Sequence, residues 1–197
     1  RNQRTILITV EPVAPAERPT STLQDLIEGR RDEQLRRLAG VVRAGKPQVV
    51  LLRWAHEMDL PGLYPWSVDD PELYRRAYRH VVAVFRQEGA DNVRWVWSPA
   101  GNESAGAFYP GDDVVDYVGL TILGDESWDA LYSLPPQSFE DLLKPKYTVV
   151  QRFGKPIVIA ELGVSGTKER QSRWLGEAAR ALDRYPLVRA VVYFNAV

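Results

Sequence analysis

Val49-Val-Leu-Leu-Arg53-Trp-Ala-His56-Glu57 is the stretch that decides the fold. Its apolar start shows no polar alternation, so it reads as a strand buried on both faces, the kind found in parallel sheets covered by helices. Its end carries Arg53, His56 and Glu57 close together. Arginine and histidine are costly to bury without partners, so a strand that ends on them points to a built polar site. A second apolar run, Pro156-Ile-Val-Ile-Ala160, closes on Glu161 in the same manner. Two carboxylates, each at the C-terminal end of a buried parallel strand, make the pattern of an active site at the mouth of a barrel.

Working outward, apolar β-rich runs recur at residues 5–10, 93–97, 117–122 and 190–194, which brings the predicted strands to six. Helical patterns fill most of the gaps. The clearest follows Asp69-Asp70-Pro71, where Asp accepts an orphan N–H and Pro suits the first turn. Tyr74, Ala77, Tyr78, Val81, Val82 and Phe85 then share one face, and Gly89 supplies a left-handed stop. Another helix is predicted over residues 32–44, with Leu35, Leu38, Ala39 and Val42 inward. A segment opening at Ser138 should end or kink at Pro145, and a last helix covers about residues 169–182.

Strand–helix alternation with apolar strands predicts parallel β/α units in one domain, residues 1–197. A dinucleotide-binding sheet would show a Gly-rich turn after its first strand, but Glu11-Pro-Val-Ala-Pro-Ala16 stands there, and no phosphate-loop pattern occurs. A (β/α)8 barrel is therefore favoured, although six strands are two short of its usual number.

Composition narrows the function classes. With 45% apolar and 26% charged residues and a net charge of −1, nothing marks nucleic acid or an anionic membrane as a partner. Cysteine is absent, which removes disulfides, thiolate chemistry and Cys-ligated zinc. No apolar run is long enough to span a bilayer, and no signal peptide is visible, though any leader would precede residue 1. A metal site would need a carboxylate cluster, since there are two histidines. Asp112-Asp113-Asp116 has the spacing of a solvated turn, so no metal and no cofactor is expected. His80 falls at the edge of a helix and is not a catalytic candidate. Gly163-Val-Ser-Gly166 is one residue short of a nucleophilic serine elbow.

The carboxylate pair keeps aromatic company. Tyr64, Trp66, Trp97 and Trp128 fall at or just after predicted strand ends, and the apolar faces of sugar rings stack on such side chains. Tyr64 and Trp66 lie in a Gly/Pro-rich loop, where large aromatics have little packing reason to exist. Trp95 is expected in the core. Cleavage of a glycosidic bond needs one carboxylic acid to protonate the leaving oxygen and one carboxylate to attack the anomeric carbon or to activate water. The acid must keep its proton near neutral pH, which burial among aromatics favours. The nucleophile must stay ionised, which a nearby cation such as Arg53 favours.

Arg53-Trp-Ala-His56-Glu57-Met58-Asp59 followed by Tyr64-Pro-Trp66 resembles the fourth-strand signature of glycoside hydrolase family 26. Thr9-Val-Glu-Pro12 is similar to that family's third strand end, Trp95-Val-Trp97-Ser98-Pro99 to its fifth strand, and Tyr109 to Gly119 to the approach to its sixth. Lys155 to Gly163 is similar to the seventh, and Val191-Val-Tyr-Phe-Asn195 to the eighth. The resemblance implies a retaining endo-hydrolase of β-mannan, β-glucan or a bacterial exopolysaccharide, on a barrel whose first two strands are missing from this chain. Glu57 would be the acid/base, Glu161 the nucleophile, with their carboxyl groups about 5–5.5 Å apart. Arg53, His56, Tyr64, Trp66, Trp97 and Trp128 would contact substrate. It also implies a secreted, periplasmic or cell-envelope location and a longer parent polypeptide.

Two departures from the pattern stand out. The sixth strand carries Thr121 and Leu123 where the family tends to have Asp and Tyr, and Asp59-Leu60 replaces an Asn-Gly pair. The first leaves a second reading open, a catalytically impaired member that binds glycan.

Overall fold

The structure, a computed structural model, describes residues 5–12 and 19–194. Residues 1–4, 13–18 and 195–197 lie outside the described residues, Asn195 of the eighth-strand resemblance among them. The chain divides into two compact units, residues 1–117 and 118–197.

The first unit holds strands β1 (Ile6–Val10), β2 (Val50–Trp54) and β3 (Val93–Trp97) and helices α1 (Pro19–Ile27), α2 (Asp32–Ala44) and α3 (Pro71–Gln87). β1 pairs with β2 and β2 with β3, all parallel and in chain order. Every residue of β2 is buried, so the unbroken apolar run is a central strand covered on both faces. Helix α3 starts where Asp70 accepts a hydrogen bond from Leu73 N at 2.9 Å, and Gly89 follows its end with φ +69°. Its inward face packs on the sheet through aromatics. Trp54 lies 5.8 Å from Tyr74 and 5.7 Å from Tyr78, while Trp95 sits edge-on to Phe85 at 5.2 Å. Trp95 is thus a core residue on the helix side, as its place in mid-strand predicts.

The second unit holds β4 (Tyr117–Gly124), β5 (Ile157–Val164) and β6 (Val188–Tyr193), with α4 (Glu126–Leu131), α5 (Phe139–Val150) and α6 (Lys168–Ala181). Its strands too are parallel and in chain order, β4 on β5 and β5 on β6. Neither unit contains the order reversal that a doubly wound sheet needs.

Two elements run past points where the sequence reading allowed an end. Helix α5 opens with the Ser138–Asp141 capping box but runs through Pro145 to Val150 without ending there. Proline removes one intrahelical N–H, and at this exposed position solvent can take the carbonyl it frees. Strand β5 continues past Glu161, because Leu162, Gly163 and Val164 still pair with Ile122, Leu123 and Gly124. Gly163 fits a tight seam, since a Cβ there would lie 3.1 Å from Leu123 Cδ2 and 3.3 Å from the Phe194 carbonyl.

Removing the α3 cap by Asp70→Ala should lower stability by about 1 kcal/mol, the usual worth of an N-cap side chain. Urea denaturation followed by tryptophan fluorescence measures this.

Candidate functional site

In the first unit the end of β2 is built around a backbone that side chains rarely adopt. Ala55 has φ +48° and Glu57 φ +52°, both left-handed and neither glycine. Such residues cost of order 1–3 kcal/mol each and persist where surrounding bonds over-determine them. Those bonds are present. Glu57 N donates to the Ser98 carbonyl at 2.7 Å, and the Glu57 carbonyl accepts from Ser67 Oγ at 3.0 Å and Leu60 N at 3.2 Å. Ser98 also serves the strand itself, its Oγ accepting from Nε of Arg53 at 2.9 Å, with Arg53 fully buried. The turn thereby holds the half-buried Glu57 side chain where the Tyr64 hydroxyl donates to its Oε2 at 3.2 Å.

His56 is buried beside it. Its ring lies 5.0 Å from that of Tyr64 and 5.5 Å from that of Trp66. Desolvation, assisted by the charge of Arg53, pushes the imidazole pKa down to about 3, so the ring is neutral at ordinary pH. Its Nδ1 is buried without a hydrogen-bond partner. An empty acceptor is cheaper than an empty donor, which favours the tautomer with the proton on Nε2.

The aromatics divide. Tyr64 and Trp66 stack parallel, 4.8 Å apart and 3° from coplanar. Trp66 is nonetheless buried, and its Nε1 donates to the His56 carbonyl at 2.6 Å. The expectation that loop aromatics lack a packing reason fails here, because the indole closes the His56 backbone from behind. Trp97 is fully buried as well and packs edge-on to Tyr109 at 5.0 Å. Arg53, His56, Glu57, Tyr64 and Trp66 thus form one hydrogen-bonded and stacked cluster, with Trp97 packed on Tyr109.

The second unit holds Glu161 and Trp128. Glu161 sits within β5, half-buried and level with Thr121 of β4, next to a register shift between Leu120 and Thr121. Leu123, still paired with Gly163, is exposed near the end of β4. A cleft of about 480 Å³ follows the strand ends, lined by Leu123, Asp125, Gly163, Ser165, Tyr193 and Phe194. Trp128 lies on α4 and is 59% exposed, its ring 4.7 Å from that of Tyr132.

Sequence reasoning missed the residues that fasten these loops. Asp59 is buried and accepts from Ala100 N at 2.6 Å and Asn102 N at 3.4 Å. Arg170 is buried at the start of α6, donates to the Ser165 carbonyl and pairs with Glu126 at 2.9 Å. For Asp59 the sequence had shown only a departure from the family pattern, and for Arg170 a charge in a stretch read as helix. Asp113 of the acidic cluster is held by Arg79 at 2.7 Å and Asp116 by Trp95 N at 2.7 Å. Among the described residues no three His, Asp or Glu side chains are grouped so as to hold a metal ion, and no helix is long and apolar enough to cross a membrane.

Parallel β/α units in chain order, with a polar cluster at the end of β2, define a protein of the (β/α) barrel class. The solved structure of a β-mannanase from Bacteroides ovatus superposes on 90% of this chain with a TM-score of 0.70 at 22% identity, the chain covering 54% of it. The profile of glycosyl hydrolase family 26 matches residues 30–144, and the chain belongs to that family. Endoglucanase H of Acetivibrio thermocellus is 32% identical over 187 residues, which is 87% of this chain and 20% of the relative. A beta-1,3-xylanase of a Vibrio species is 40% identical over 88 residues, 41% of this chain and 18% of the relative. The chain therefore spans about a fifth of the length of these two relatives.

His56 makes stability depend on pH. The unfolded imidazole binds a proton below its ordinary value near 6.5, whereas the folded one does not until about 3. The unfolded state then binds more protons across that interval, so stability is full above pH 6.5 and falls as pH drops toward 3. At pH 4.5 the loss should be about 2.7 kcal/mol, from roughly two pH units at 1.36 kcal/mol each. Denaturation at pH 7 and pH 4.5 should show His56→Gln losing less stability between the two than wild type.

Proposed function

We propose that the protein is a retaining endo-glycoside hydrolase that shortens a β-linked polysaccharide, a β-mannan, a β-glucan or a bacterial exopolysaccharide. The observation that carries this is Glu57, a carboxyl held in left-handed backbone at a strand end, with a tyrosine hydroxyl on one oxygen and a neutral histidine beside it. Family membership supports it. The family match also runs across the boundary of the two units, which supports reading residues 1–197 as part of one catalytic domain.

In the first step the Glu161 carboxylate attacks the anomeric carbon and forms a glycosyl ester. The bond to the leaving oxygen breaks, and Glu57 gives that oxygen its proton. In the second step the Glu57 carboxylate takes a proton from water, whose oxygen attacks the same carbon and frees Glu161. Tyr64 orients the Glu57 carboxyl through its hydroxyl. Neutral His56 suits an uncharged sugar, since its Nε2–H can donate to a hydroxyl without demanding an anion. Arg53 acts through Ser98, and Trp66 through the His56 backbone. Exposed Trp128 offers a stacking face for a more distant sugar, while Trp97 acts through its contact with Tyr109. The polysaccharide is the partner, the rest of a longer polypeptide is expected beside this chain, and a secreted, periplasmic or envelope location fits an extracellular glycan.

A second reading has one observation in its favour. Thr121 stands level with Glu161 in the sheet, where the family tends to carry an Asp. A member that binds glycan without cleaving it would fit that substitution.

Reducing-sugar release from mannan, mixed-linkage glucan and bacterial exopolysaccharides by the complete protein separates the two. At least one should be shortened, Glu161→Gln should abolish release, and Glu57→Gln should lower it by about two to four orders of magnitude. Binding without shortening, unchanged by Glu161→Gln, would establish the second reading instead. Tyr64→Phe should lower kcat by about tenfold with KM little changed, because one hydrogen bond of about 1.4 kcal/mol orients the acid.

A further inference from the structure

We infer that Asp59 is a positioning residue for the Glu57 acid, acting through the loop that follows β3. This rests on the reading of Glu57 as acid/base. Asp59 is 3% exposed, and burying a carboxylate costs several kcal/mol unless it is well bonded. Its two oxygens are spent on the backbone of one short segment, Oδ1 on Ala100 N at 2.6 Å and Oδ2 on Asn102 N at 3.4 Å. The same segment begins at Ser98, whose carbonyl fixes Glu57 N at 2.7 Å and whose hydroxyl fixes Arg53 at 2.9 Å. Residues 53, 57 and 59 are therefore tied to residues 98, 100 and 102, alternate positions along the second loop. The two loops are stitched together from the buried strand outward.

Glu57 is the middle stitch and the strained one, with φ +52°. Ser98 holds its nitrogen, but Ser98 lies at a strand end and needs its own loop held. Nothing in the chain between Ser98 and the short helix Glu103–Phe108 supplies a regular secondary-structure ladder. The Asp59 carboxylate supplies the missing acceptors. An asparagine in the same place offers one oxygen and turns an N–H toward the second donor, so it can hold Ala100 N and lose Asn102 N. The aspartate thus gives this chain a two-point anchor that an amide cannot.

The consequence falls on proton delivery. A loosened anchor lets the Glu57 carboxyl drift from the leaving oxygen, and misplacement of about 1 Å costs a rate of order 10²-fold. A leaving group that departs without a proton does not depend on that placement.

The test uses the complete protein with Asp59→Ala and Asp59→Asn, on the polysaccharide that wild type shortens and on a dinitrophenyl β-glycoside of the same sugar. Asp59→Ala should lower kcat on the polysaccharide by about 10²-fold. Its bond-cleavage step on the activated glycoside, read as the burst of dinitrophenolate, should fall by no more than about threefold, since that step needs little acid. Asp59→Asn should recover to within about tenfold of wild type on the polysaccharide, having kept one of two bonds. Equal losses on both substrates would make Asp59 a structural residue and overturn the inference, as would an Asp59→Ala enzyme with wild-type kcat. If Asp59→Ala does not fold, Asp59→Asn alone decides by the same comparison. If wild type cleaves neither substrate, the reading of Glu57 as acid fails, and this inference falls with it.

Discussion

Strand β2 is buried along its whole length, and it ends in a chain of polar groups that water cannot serve. Arg53 is the first of these. Its guanidinium has no route to solvent, so the neighbouring strand end must supply an acceptor, and Ser98 Oγ does so. Once Ser98 is fixed there, its carbonyl is placed to take Glu57 N, and the turn between them closes in left-handed backbone. The strain at Ala55 and Glu57 is then a result of satisfying buried polar groups over a very short span. The presentation of the Glu57 carboxyl follows from the same constraint.

The aromatic wall depends on that turn as well. With the His56 carbonyl facing away from the strand, an indole N–H can reach it, and Trp66 does so at 2.6 Å. That bond pulls the 60s loop over the imidazole and brings Tyr64 flat against Trp66, its hydroxyl toward Glu57. Burial of the imidazole beside a fixed guanidinium in turn keeps it uncharged. Histidine here is a neutral hydrogen-bonding group by construction, and not a proton carrier.

Much of this was legible in the chain and some was not, for definite reasons. The unbroken run 49–54 announced a covered strand, because burial on both faces leaves no room for polar alternation. Asp70-Pro71 announced α3, because a cap and a proline at the first turn are local chemistry. The end of β5 was misjudged because Gly163 reads as a loop residue, whereas it stands in the strand to let Leu123 and the Phe194 carbonyl come close. The packing role of Trp66 was not foreseen because nothing local shows that an indole bonds a backbone ten residues earlier. Asp59 and Ser98 were missed for the same cause. A side chain that serves a distant backbone leaves no period and no spacing to detect.

The two glutamates differ in how they are held, and the difference suits the two roles proposed for them. Glu57 is fixed by a turn in which its nitrogen donates to the Ser98 carbonyl and its carbonyl accepts from Ser67 Oγ and Leu60 N, so its carboxyl position is set by loop geometry. Glu161 sits within β5, three residues before its end, level with Thr121 of β4 and beside a register shift toward each neighbouring strand. The nucleophile proposed at Glu161 would have to meet one carbon along one line, and a strand is a stiff place from which to aim it. An acid that must also serve as a base moves its proton both ways at a leaving or entering oxygen. A carboxyl on an anchored turn has its orientation set by hydrogen bonds that can be retained in both protonation states. The Tyr64 hydroxyl is such a bond, since it donates to the carboxylate and still reaches the carbonyl oxygen of the protonated acid.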